Sequence, residues 1–449
     1  MFDSLADAYL ASPRIAALFD ARATLARMLA FEAALARAQA ALGMIPISAA
    51  DKIARACEVS NFDIEAIKHD TAASSSPAIP LVSALTAKVA ANDADAALYV
   101  HWGSSTQDVM DSAMMLQARA ALDELLSSVS TIAEQLATLC SAHRDTLMVA
   151  RTLSQHALPT VFGYKCALWL QALLNGADDL TQQREDVPLQ FGGAAGTLAA
   201  YGARGVELRD AVARELDLRA VVPWHTDRHV PRALAASLAI LAAGVGKIGN
   251  DFLLMMQSEV AELSEGGGSG RGGSSAMPHK RNPVAAMAVV AGAHRVPGQL
   301  AALFSCFTHG HERASGAWHG EWQALREMFV TVGGMLEQLA VALDGMGVHT
   351  EAMRANLERG QGLVMAEAVA MALAPAVGRS AAQALLKDAV RAALERRAPL
   401  HQVLGENATV LRELGVEGLA AVMAPQNYLG VSASFIDDVL ARYRAHGHG

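Results

Sequence analysis

The chain has 449 residues, with 36 Lys+Arg against 45 Asp+Glu and a formal net charge of −9. At 52% hydrophobic and 18% charged residues it lies far from the composition of a disordered chain. Its acidity, with a pI near 5.9, argues against general nucleic-acid binding.

A mean hydropathy of +0.23 would suit a membrane protein. The longest uncharged apolar run, Ala233 to Gly246, nevertheless falls short of the about 20 residues a bilayer span needs. Aromatics are only 5%, so the core is expected to be built from small side chains on closely approaching helices. A soluble chain this apolar is expected to hide surface against copies of itself. The four cysteines Cys57, Cys140, Cys166 and Cys306 are isolated in sequence, and MFDSLADAYL lacks a basic stretch followed by an apolar one. A reduced, cytoplasmic protein is the expectation.

In chain order, apolar residues at Ile15, Leu18, Leu25, Met28, Leu29, Leu35 and Leu42 keep helical spacing until Gly43 and Pro46. Ser74-Ser75-Ser76-Pro77 interrupts the helical region. Ser105-Thr106-Gln107-Asp108 reads as a capping box that starts a helix near Thr106. No Gly or Pro occurs between Gly103 and Pro159, and Met110, Met114, Leu122, Leu125, Val129, Ile132, Leu136 and Leu139 follow one stripe. That pattern predicts a helix of roughly 30 to 35 residues. Further helices are predicted after Pro159, Pro231 and Pro297, each proline in a first turn. A helical pattern from Asp251 to Leu263 leads to the glycine-rich GGGSGRGG, and from about Glu351 onward shorter pieces such as Ala381 to Arg397 follow. The expected fold is all-α, an elongated long-helix bundle in three domains, 1–106, 107–350 and 351–449.

Several motifs fail their structural context. Gly268 to Gly273 matches G-x-G-x-x-G but follows a helical pattern and not a strand, so the dinucleotide reading fails. His225 and His229, and Thr308 to Arg313 (THGHER), lack the ligand spacing of a metal site. No G-x-S-x-G elbow occurs. The loop has a better reading as a mobile lid over a small polyanion, because Arg271, Lys280 and Arg281 are cations with no acid between Arg271 and Asn282. Ser104, Ser105 and Thr106 with the amides of a helix start would form an anion cradle. Arg151, Gln155 and His156, ahead of Pro159, repeat that pattern at a second predicted helix start.

Gly272 to Pro283, GGSSAMPHKRNP, resembles the signature loop G-S-S-x-M-P-x-K-x-N of the fumarase/aspartase superfamily. His101 to Asp108 and Arg151 to Gly163 are similar to its other two blocks, in the same order. The resemblance implies a homotetramer of long helices whose active sites are each assembled from three subunits. Within the superfamily, HWGSSTQDVMDSA, Leu189 to Ala200, Pro223-Trp224-His225-Thr226, MPHKRNPV and His311 to Trp322 resemble the enzymes that lactonise 3-carboxy-cis,cis-muconate in aromatic catabolism. Adenylosuccinate lyases share Lys68-His69-Asp70. They carry a His where this chain has Leu153, and a second phosphate-binding Arg where it has Trp322.

The implied activity is cofactor-free and metal-free, on a small tricarboxylate, in a cytoplasmic homotetramer that engages neither nucleic acid nor membrane. Ser274 is expected to exchange the proton α to a carboxylate, with His156 or His101 as the alternative donor. Arg228 and Arg313 are expected to pair with substrate carboxylates. Ser104, Ser105, Thr106, Arg151, Gln155, Ser275, Met277, Lys280 and Asn282 complete the expected binding set, and His69 is either catalytic or a capped loop residue.

Overall fold

The computed structural model describes residues 4–266, 268, 271–274 and 276–446. Among them are 19 α-helices and two small antiparallel pairs of strands, the all-α class that the pattern predicts. The first helical stripe divides in two, Pro13–Leu18 and Ala21–Ala41, because the Asp20 carboxylate accepts the Ala23 N–H and begins a new helix. Ser75 adopts a left-handed conformation after Ile64–Ser74, and the next helix starts at Ala78.

The helix expected near Thr106 runs from Thr106 to Ala142, 37 residues, about 55 Å at 1.5 Å per residue. Its capping box is reciprocal: the Ser105 N–H donates to Asp108 Oδ2 at 3.0 Å, and the Asp108 N–H donates to Ser105 Oγ at 3.4 Å. Leu122, Leu125, Val129, Ile132 and Leu136 along the stripe are buried, each worth roughly 1.5–3 kcal/mol of apolar burial.

Three local expectations are corrected. Residues 147–161 form a hairpin, Leu147–Thr152 against Gln155–Val161, and the next helix starts only at Phe162. The two-residue turn at Leu153 and Ser154 has positive φ at both positions (50° and 64°), a geometry usually announced by Asn-Gly, which is missing here. Pro159 is thus a strand residue in a two-stranded ribbon, where its missing N–H is tolerated. Pro297 lies inside the helix Val284–Ser305, whereas Pro231 does occupy the first turn of His229–Met255. That helix stops at Met255, and Leu263–Ser264 pairs with Gly347–Val348. His229–Met255 is long and apolar enough to cross a membrane by length and composition, but half of its most apolar stretch is buried within the protein.

The chain packs as two compact units. The first takes the chain to Val129, Asn175–Gly246 and Ala288–Glu337, and the second Ser130–Leu174, Lys247–Met287 and the chain from Gln338 onward. Leu29, Phe31, Leu35, Leu81 and Phe329 lie in the core of the first. In the second, Trp169 packs on Phe162 and Phe252, while Val369, Leu373, Leu400, Leu404 and Val410 form a C-terminal cluster.

The turn that feeds the Thr106 helix depends on Gly103. Its φ is +77°, and a Cβ there would stand 2.6 Å from the Tyr201 ring. Gly103→Ala should cost about 2 kcal/mol of stability, read as a lowered melting temperature. Gly310→Ala, where a Cβ meets open space, should leave it unchanged.

Candidate active site

In the first unit the start of the Thr106 helix is organised by one buried carboxylate, Asp108. Its Oδ1 accepts from the Gly192 N–H at 2.8 Å and faces His225 Nε2 at 3.1 Å. Its Oδ2 accepts from the N–H groups of Gly193 (2.9 Å) and Ser105 (3.0 Å) and from Ser105 Oγ (2.9 Å). A carboxylate this fully bonded is a structural acceptor and has no lone pair to spare for substrate.

Arg313 lies over this arrangement. Its Nη2 donates to Ser105 Oγ at 3.2 Å and to the carbonyls of Gly193 and Ala194 at 3.3 Å, and its Nε donates to Gln107 Oε1 at 3.1 Å. Among the described residues Nη1 has no partner, so the guanidinium is held in place with a donor still available. Ser104 Oγ, on the residue before Ser105, is buried without a hydrogen-bond partner, and Thr106 is the first residue of the helix. Half-buried cation, orphan hydroxyl and helix-start amides together suit a carboxylate.

His101, at φ +54°, places Nδ1 2.6 Å from Glu32 Oε1. Burial alone would lower its pKa, but Glu32, helped by Asp108, raises it above the ordinary value, so the protonated form is favoured. His69 sits on the Ile64–Ser74 helix with an 88% exposed side chain, its Nδ1 2.9 Å from Asp70. The structure joins it to none of the other expected residues.

Arg228 corrects an expectation. Its guanidinium is fully buried between Asp111 (2.7 and 3.1 Å) and Glu321 (2.6 to 3.1 Å), and stacks 4.7 Å from the Trp224 ring. Burial works against its charge, but the two carboxylates hold it protonated, which leaves no donor for substrate. His225 and His309 are likewise committed, to Asp108 and to Glu321.

In the second unit Arg151 is also committed: it makes a bidentate pair with buried Glu262 at 2.9 and 2.6 Å, and Asn356 Nδ2 adds a bond at 2.8 Å. It therefore anchors the hairpin and is not the free cation expected from its sequence neighbourhood. Thr152 and Gln155 pair across the tip, Leu153 is 98% exposed, and His156 lies exposed beyond it. Partial burial, with Arg151 and Arg359 nearby, lowers the pKa of His156, which favours the neutral imidazole. Because 151–156 is a hairpin, no helix N-terminus stands there to supply amides.

The signature loop is cross-braced in the same unit: the Asn282 N–H donates to the Gly272 carbonyl at 2.7 Å, and Gly273 bridges Arg281. A Cβ on Gly272 would meet the Asn282 carbonyl at 2.3 Å. Ser274 Oγ accepts from the backbone N–H groups of Met277 (3.1 Å) and Ala276 (3.4 Å). The Lys280 N–H donates to the Met277 carbonyl at 3.0 Å, and the side chains of Lys280 and Met277 are exposed. Arg271 bonds Gln338, so among the described residues the loop cations without a side-chain partner are Lys280 and Arg281. Ser275 lies outside the described residues.

The residues that the sequence did not single out are buried acceptors: Glu32, Asp111, Glu262 and Glu321. Asp111 and Glu321 lie inside two of the motif stretches, while Glu32 and Glu262 are carboxylates flanked by apolar residues. The Glu32–His101 pair carries a pH signature. A histidine whose pKa rises on folding stabilises the protein fully below its ordinary 6.5, and that contribution is lost as pH climbs through the raised value. Glu32→Gln should therefore lower the melting temperature more at about pH 6 than at about pH 8.

Residues 7–298 match the family described as Lyase, and residues 362–439 match the adenylosuccinate lyase C-terminus. A 3-carboxy-cis,cis-muconate cycloisomerase of Bradyrhizobium diazoefficiens is 45% identical over 96% of both chains. A nitrosuccinate lyase of Streptomyces davaonensis is 40% identical over 95% of this chain and 92% of its own. The crystal structure of the 3-carboxy-cis,cis-muconate lactonizing enzyme from Pseudomonas putida superposes with a TM-score of 0.92 at 39% identity, covering 99% of each chain. The chain therefore belongs to the lyase family, within the fumarase/aspartase superfamily that its three motif blocks resemble.

Proposed function

We propose that this protein is a cycloisomerase that converts 3-carboxy-cis,cis-muconate to 4-carboxymuconolactone, reversibly and without a cofactor. The observation that carries the choice within the family is Leu153. The superfamily's eliminating lyases place a His at this point of the second block, and here an alkyl side chain stands 98% exposed at the hairpin tip. An elimination needs an acid for the departing group. In lactonisation a carboxylate of the substrate adds to the conjugated double bond, the new C–O bond forms, and the displaced π electrons pass into a second carboxylate as an aci-carboxylate. One proton on the α carbon completes the lactone. Nothing departs, so that acid is dispensable.

The remaining requirement is to stabilise the aci-carboxylate and deliver the proton. Arg313, Ser104 and the amides around Thr106 fit the first task, with Lys280, Asn282 and Met277 from the signature loop as further contacts. Ser274 fits the second. Two backbone N–H groups aimed at its Oγ favour the alkoxide, and they leave the hydroxyl proton as the transferable one. Of the two histidines, His101, whose pKa Glu32 raises, is the one more available as a proton donor, and His156, whose pKa is lowered, the one more available as an acceptor. Copies of the chain share active sites in a homotetramer, which accounts for an apolar, charge-poor sequence.

Purified protein mixed with 3-carboxy-cis,cis-muconate should remove the diene's ultraviolet absorbance. Fumarate release from adenylosuccinate, with the muconate untouched, would overturn the assignment. Ser274→Ala should lower kcat by about 100-fold, and unchanged turnover removes Ser274 from its role. Elution near four times 47.0 kDa is the expected size, and elution as a monomer contradicts the tetramer.

A further inference from the structure

Gln107 is fully buried in the first turn of the Thr106–Ala142 helix. A primary amide has one accepting end and one donating end, and its partners decide which way it points. Its Nε2 lies 3.1 Å from Asp111 Oδ2 and 2.9 Å from the His225 carbonyl, neither of which can donate.

The acceptor character of Asp111 is itself enforced. Oδ2 takes Arg228 Nη1 at 2.7 Å, while Oδ1 takes Arg228 Nη2 at 3.1 Å and Trp318 Nε1 at 3.0 Å. The other edge of Arg228 is clamped by Glu321, whose Oε1 also takes His309 Nε2 at 2.8 Å. Each member is buried and can turn over only by stranding a charge or a donor. Gln107 Oε1 is left with one direction, toward Arg313 Nε at 3.1 Å.

We propose that Gln107 is a positioning residue: the polarity of its amide, imposed by Asp111 and the His225 carbonyl, aims the Arg313 guanidinium and so sets how tightly a substrate carboxylate is held. The inference rests on Arg313 being the carboxylate partner. It gives the buried Asp111–Arg228–Glu321–His309 chain a task in binding as well as in folding.

A kinetic double-mutant cycle on the full-length enzyme with 3-carboxy-cis,cis-muconate tests it. Arg313→Ala should raise KM about tenfold with kcat within about threefold. Gln107→Met, of the same length, should raise KM about fivefold alone but less than about twofold in the Arg313→Ala background, because its effect passes through Arg313. A Gln107→Met effect equally large in both backgrounds, or no effect in either, overturns the proposal. An Arg313→Ala enzyme with unchanged KM overturns the reading of Arg313 beneath it. Gln107→Glu supplies an independent readout. It keeps an acceptor toward Arg313 and sets a second one against Asp111, so it should melt below Gln107→Met yet have a KM closer to wild type. If KM instead follows melting temperature, Gln107 is only a structural residue.

Discussion

Everything at the start of the long Thr106–Ala142 helix depends on satisfying one buried carboxylate, Asp108. A bare anion at 0% exposure would be prohibitively costly. Here the cost is offset by bringing donors from three separate stretches of chain, Ser105, the Gly192–Gly193 pair and His225. The anion gathers these segments, and in doing so defines the floor over which Arg313 lies. The same bonds that cap the helix therefore also fix the surface proposed to bind substrate, so on that reading folding and function are hard to separate at this point.

A similar economy recurs in the second unit. Glu262 is buried and doubly bonded by Arg151, and it also receives Asn356. That fixes the base of the hairpin while its tip stays exposed. In both units a buried acid holds a basic residue in place, His225 at Asp108 and Arg151 at Glu262, and an uncommitted polar group lies close by in sequence: the unpartnered Ser104 Oγ next to Ser105, and exposed His156 a few residues after Arg151.

Much of this was legible in the sequence because it is written in local rules. The Ser105–Asp108 capping box marks the helix start, and the Gly- and Pro-free stripe predicts roughly 30 to 35 residues where 37 form, without marking the end at Ala142. The signature loop was recognisable because its residue types are specified by a turn, a close backbone approach at Gly272 and exposed donors. What sequence could not supply was pairing. Arg228 and Arg151 read as free cations because the acids that neutralise them, Asp111, Glu321 and Glu262, lie 93 to 117 residues away. The hairpin at 147–161 was missed for a related reason. Its turn is imposed by strand pairing, and not by glycine or asparagine at Leu153 and Ser154.

That forced turn bears on how such an enzyme diversifies. Two residues held at positive φ by the register of their flanking strands contribute little to their own conformation, so the side chain at position 153 is decoupled from the fold that displays it. A scaffold built this way separates the inheritance of shape from the choice of side chain at one exposed, conformationally dictated position.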